Sequence, residues 1–142
     1  MNKGIRRGGE AGYTMIEMTL VMLIITTLAL VVMPKMAGAL QRAKEGSATA
    51  NLTVMRTALY SYSSDQGTFP TNLAALNGQY VSAIPAAKGL SHHADSNAVT
   101  FESEPSDAGG WSYDNNPNDA NFGQIVINCT HTDERGNLWA SY

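Results

Sequence analysis

The hydrophobic pattern changes character once along this chain. From Tyr13 to Met33 the single formally charged side chain is Glu17. After that window, Met36, Leu40 and Ala43, then Ala48, Leu52, Met55, Leu59 and Tyr62, recur at three- and four-residue steps. Lys35, Arg42, Lys44, Glu45 and Arg56 lie off this stripe, which is the signature of an amphipathic helix. The pattern predicts one helix from about Tyr13 to about Ser64, its second half packing on a globular domain. Pro34 removes a backbone donor and crowds the preceding turn. With Gly38 and Gly46 it marks a weakened stretch, read equally as a kink or as an extended segment.

Helical periodicity ends after Asp65-Gln66-Gly67. Thr71 reads as the N-cap of a short helix over Asn72–Leu76, with Gly78 near its stop, and Tyr80 to Pro85 reads as extended. Strands are predicted at Ala98–Ser103, Gly110–Asp114 and Gln124–Cys129, separated by loops rich in Asn, Asp and Gly. The fold class is therefore α+β, a long N-terminal transmembrane and amphipathic helix packed on a small three- or four-stranded antiparallel sheet. Trp111 and Tyr113 share one strand face and, with Trp139, supply packing. The domain reading is a leader at 1–12, a membrane helix at 13–33, an amphipathic half at 34–64 and a small head at 65–142.

The twenty residues from Thr14 to Met33 exceed the roughly 7–15 of a signal-peptide core. At about 1.5 Å per residue they cover the roughly 30 Å hydrocarbon layer. The leader carries Lys3, Arg6 and Arg7 against Glu10, which puts it on the cytoplasmic side. Ala37-Gly38-Ala39 has the small-x-small pattern of a signal-peptidase site, so release after Ala39 and an uncleaved tether are the competing outcomes.

With 142 residues there is room for one small domain and a limited core. From Asn51 onward nine acids face only Arg56, Lys88 and Arg135. That balance argues against nucleic acid, which needs a basic face. The lone Cys129 rules out an internal disulfide framework and reads as a buried thiol in a strand. His92, His93, His131, Cys129 and Asp133 are the residues that could ligate zinc. Adjacent histidines in extended chain point apart, however, and no ligand spacing recurs. With no nucleophile motif or phosphate loop either, the chain is read as no enzyme.

Glu17 then demands an account. A carboxylate at mid-bilayer costs about 2.5–3.5 kcal/mol on insertion scales, and such groups have a partner or snorkel to the headgroups. Gly12-Tyr13-Thr14-Met15-Ile16-Glu17-Met18 resembles the processing motif of type IV prepilins: a glycine before the cut, an aromatic first mature residue, and a glutamate fifth. Pro34 stands twenty-second in the mature count, where pilins and type II secretion pseudopilins commonly carry proline. Tyr replaces the usual Phe, and Met replaces Leu at two places. The run Gly67-Thr68-Phe69-Pro70-Thr71, with its following Leu, Tyr-Val and Ile-Pro, is similar to the corresponding run in major pseudopilins and small pilin-like proteins.

The resemblance implies cleavage by a prepilin peptidase between Gly12 and Tyr13 and methylation of the new Tyr13 amine. It implies assembly through Glu17, with Thr14 beside it, the carboxylate pairing with a neighbouring subunit's Tyr13 amine and selecting axial register. In related filaments the stretch at Pro34 and Gly38 is extended. The implied protein is a pseudopilin of type II secretion polymerising into a periplasmic pseudopilus. The alternatives are a type IV pilus pilin and, more remotely, a tethered or secreted periplasmic binding module. Implied partners are further copies, other pilins or pseudopilins, the peptidase, an inner-membrane assembly platform and the lipid bilayer, with the head periplasmic. No cofactor is implied beyond calcium, for which major pseudopilins use an acidic C-terminal loop; Asp133 and Glu134 are the candidates here, with Asp114 and Asp119 able to contribute oxygens.

Overall fold

A computed structural model describes residues 14–142. Its elements are α1 (Met15–Gln66, 52 residues), a 3₁₀ turn at Leu73–Leu76, β1 (Val99–Thr100), β2 (Trp111–Tyr113), β3 (Ile125–Ile127) and a closing 3₁₀ turn at Trp139–Ser141. Two compact units divide after Gly38, and each is taken by itself.

In the first unit α1 is apolar and bare. Met15 is 90% exposed, and Ile16, Met22, Leu30 and Met33 stand out similarly. An 18-residue window reaches a mean hydropathy of 2.4 with none of it buried, so α1 is long and apolar enough to cross a membrane. Its threonines conceal their polarity: the hydroxyls of Thr19, Thr26 and Thr27 donate to the carbonyls of Ile16, Met22 and Ile24 at 2.7–2.8 Å. Such back-bonding lets a hydroxyl face hydrocarbon without an unmet donor. The α-helical assignment runs through Pro34 and Gly38 without a break in this single chain. Pro34 itself has no N–H to give to the ladder.

In the second unit, the later part of α1 lays Ala48, Leu52, Met55, Ala58 and Leu59 into the core. They meet Leu73 and Leu76 from the 3₁₀ turn, Trp111 and Tyr113 from β2, Ile125 and Ile127 from β3, and Trp139. The expected stripe starts too early: Met36 is 65% and Leu40 61% exposed, and Ala43 is exposed as well. Glu45, placed off the stripe from its charge, is instead 7% exposed. Its Oε1 accepts from the Glu134 N–H at 3.3 Å and the Gln41 amide at 3.5 Å, and those donors make burial tolerable.

Each predicted strand contains the observed one, shortened. The sheet order is β1-β2-β3. β2 and β3 are antiparallel, with Trp111 opposite Ile127 and Tyr113 opposite Ile125. β1 runs parallel to β2, so the sheet is mixed where antiparallel pairing was expected. The loop from Thr100 to Trp111 is long enough to return the chain before the second strand begins, which a tight hairpin is not. Asn72, and not Thr71, caps the short 3₁₀ turn by accepting the Ala74 N–H at 2.9 Å. Of Tyr80–Pro85, only Val81 makes a β-bridge, to Asn77.

Loops are tied to the core by single polar contacts. The Trp111 indole donates to the Pro85 carbonyl at 2.8 Å, and the Tyr113 hydroxyl to that of Pro70 at 2.5 Å. Both rings are thereby packed core with their polar ends satisfied. From α1, Arg56 donates to the carbonyls of Ile125 and Tyr142, Asn51 to Ala86 and Gln41 to Gly89.

Candidate functional site

At the start of α1, Thr14 caps the helix. Its carbonyl accepts from Glu17 and Met18, and its hydroxyl oxygen accepts the Glu17 N–H at 3.3 Å. Thr14-x-x-Glu17 is capping-box spacing, a sequence signal that the assembly reading of Thr14 had passed over. Glu17, in the first turn, thus has a reason within its own chain, as an acid at the positive end of the helix dipole. Magnitudes show how far this goes. A first-turn acid gains about 0.3–1 kcal/mol, while burial at mid-bilayer costs about 2.5–3.5 kcal/mol. The cap offsets a fraction of that cost; the rest calls for headgroups or a partner cation. Gly12 and Tyr13, the expected cleavage and methylation residues, lie outside the described residues.

The loop at Asp133 and Glu134 is organised by its own chain. Asp133 Oδ1 accepts the N–H groups of Arg135 and Asn137, each at 2.8 Å. Its Oδ2 accepts from the Tyr142 hydroxyl and from the Asn137 amide. The Tyr142 hydroxyl above all, with the two N–H groups, holds the Asp133 carboxyl down at about 2, and the same bond raises the Tyr142 phenol. A calcium ion at Asp133 has to displace some of these donors. Glu134 reaches Arg42 at 3.9 Å, an exposed pair of small worth. Asp114 is buried with its Oδ2 unpartnered among the described residues, and Asp119 caps the turn at Asn121.

A third group had been set aside for lack of spacing, and the structure reverses that. His93, Asp107, Cys129 and His131 bring one potential ligand atom each to within 4.8 Å of one another. Asp107 Oδ1 lies 3.1 Å from His93 Nε2 and 3.3 Å from His131 Nδ1, and Cys129 Sγ lies 3.6 Å from that same Nδ1. Of the five residues considered from sequence, His93, His131 and Cys129 meet here. Asp133 is engaged in its own loop, and His92 stacks on His131 with ring centres 4.0 Å apart. Asp107 had been missed, because nothing local singles out one acid in a polar loop. A signal for the other two was present: Cys129 and His131 are two apart, and in extended chain such residues share a side.

Neighbouring residues set this geometry. Asn128, fully buried, accepts the N–H groups of Ser106 and Asp107 at 2.8 and 2.9 Å. This holds Asp107 at φ 63°, the sole positive φ of a non-glycine among the described residues. The Thr130 N–H donates to Asp107 Oδ1 at 2.8 Å. That bond first, then His93 and the charge of His131, hold the Asp107 carboxyl down at about 2, whereas burial pushes the Cys129 thiol up. Gly109 leaves room for His93: a Cβ there would sit 3.2 Å from the histidine's own.

No family model matches the chain, and no solved structure does. The chain is similar to the competence protein ComGC of Halalkalibacterium halodurans, 36% identical over 67 residues. The match covers 47% of this chain and 66% of that protein, so it spans a little less than two thirds of the relative's length. This likeness gives no preference to the major pseudopilin of type II secretion.

Proposed function

We propose that the chain is a pilin-like filament subunit, anchored by the first half of α1 until it enters the filament. The observation that carries this reading is a first half of α1 that is apolar and bare among the described residues, with one acid in its first turn, shortly after Gly12-Tyr13. Bare apolar surface of that extent has to be covered by lipid or by other helices, and a filament core of like helices supplies such cover. There Glu17 gains the cation that its cap does not provide, the Tyr13 amine of a neighbouring copy. Pro34 and Gly38 are where the helix would yield as subunits rise. The partners are copies of this chain, related pilin-like subunits, a prepilin peptidase and its membrane platform.

The likeness to a competence protein favours a filament serving competence over one serving type II secretion or forming a surface fibre. Deleting the gene tests this, with loss of transformation as the expected phenotype; blocked exoprotein release or missing surface fibres would reassign the filament. The subunit reading has its own tests. Mass spectrometry of the mature chain should find a methylated Tyr13 at its start. A chain beginning at Leu40 means secretion, and an intact Met1 means a plain tether. Glu17→Ala should insert into membranes at normal levels yet yield few filaments, and normal filament yield would overturn the pairing.

A further inference from the structure

We propose that His93, Asp107, Cys129 and His131 form a four-ligand site for zinc, or a transition-metal ion of the same kind, in the head. The donor set of two imidazoles, one thiolate and one carboxylate is the chemistry zinc selects, and it ill suits calcium or magnesium, which take oxygen. Spacing agrees. Zinc bonds of about 2.0–2.3 Å in a tetrahedron put neighbouring ligand atoms about 3.3–3.8 Å apart. Three separations around Asp107 and His131 are 3.1, 3.3 and 3.6 Å, and all four ligand atoms lie within 4.8 Å, so the wider pairs draw in by about 1 Å when the ion binds.

Hydrogen bonding alone explains the two imidazoles meeting the carboxylate. It also brings the Cys129 thiol to within 3.6 Å of His131 Nδ1, so that a sulfur joins the same cluster, with Asp107 held at positive φ to complete it. Asn128 and Gly109, neither a ligand, give Asp107 and His93 their places, the supporting layer that orients metal ligands. Cys129 is buried, while His131 is partly open on its outer side, which leaves an approach for the ion. On binding, the Cys129 thiol loses its proton to water and the thiolate takes a coordination position. Four protein ligands leave no position for substrate, so the site is structural. It ties the turn ending at His93 and the loop at Asp107 to the strand end at Cys129. This inference is independent of the filament reading, because all four residues lie in the second unit.

The test uses the full chain in detergent, stripped with a chelator and titrated with zinc and, separately, with cobalt(II). One zinc per chain, a rise in melting temperature and a thiolate-to-cobalt charge-transfer band are expected. Cys129→Ala should abolish that band. Asp107→Asn tolerates positive φ and keeps an oxygen for the Thr130 N–H, so it guards against misfolding; it should raise the zinc dissociation constant by about tenfold or more. Absence of saturable binding, or binding that Cys129→Ala and Asp107→Asn both leave unchanged, would overturn the site. A melting shift produced by calcium and not by zinc would overturn it equally.

Discussion

The two halves of α1 share one helical backbone and differ in what their side chains must face. Before Gly38 the 18-residue apolar window is unburied among the described residues. After Ala39 a stripe from Ala48 to Leu59 is buried by the head while Val54 and Tyr60 remain outside. One half is left bare among the described residues and the other is covered from within the molecule. Apolar content alone does not separate these fates. Periodicity does, because a stripe can be satisfied by one neighbour and an all-round apolar surface cannot. The polar groups follow suit: threonines before Gly38 bond back to their own helix, whereas Gln41, Asn51 and Arg56 reach loops of the head.

Changes that respect one half and damage the other sharpen this contrast. The largest effect is expected from Met55→Ala, which opens a cavity in the head core and should cost about 2–5 kcal/mol. Thermal unfolding of the head reads this loss, and membrane insertion should be untouched. Ile24→Asp should do the reverse, costing about 2.5–3.5 kcal/mol in insertion while the head melts as before; a membrane-fractionation assay beside a melting curve tells them apart. Smaller still, Thr14→Ala removes the cap at the start of α1 and should cost about 0.5–2 kcal/mol of local helix stability. Faster amide exchange over residues 15–18, with none over 52–59, is the expected readout.

The mildest probe is pH. The Asp133 carboxyl is held at about 2 in the folded head and titrates near 3.9 once unfolded. Its contribution is therefore present above about pH 4 and fades as pH falls towards 2. Asp133→Asn should flatten that part of the stability curve, and equal acid sensitivity in the variant would assign the loss to other groups.

Much of this was legible in residue order. The membrane-length window, the core stripe from Ala48 onward and the three strand sites follow from local periodicity, which a chain carries wherever it folds. The α+β class follows from their order. The parallel entry of β1, the burial of Glu45 and the withdrawal of Met36 and Leu40 from the core do not, since each depends on which surface another segment covers. Thr14 as a cap was readable and had been passed over in favour of a different role for the same residue.

Sequence by itself determined that this protein has an oily N-terminal helix bearing one acid and a small head built on that helix's amphipathic continuation. Only tertiary structure decided that His93, Asp107, Cys129 and His131 meet. They are spread over 39 positions, and proximity between distant loops comes from how the sheet and Asn128 place them, which no local pattern encodes.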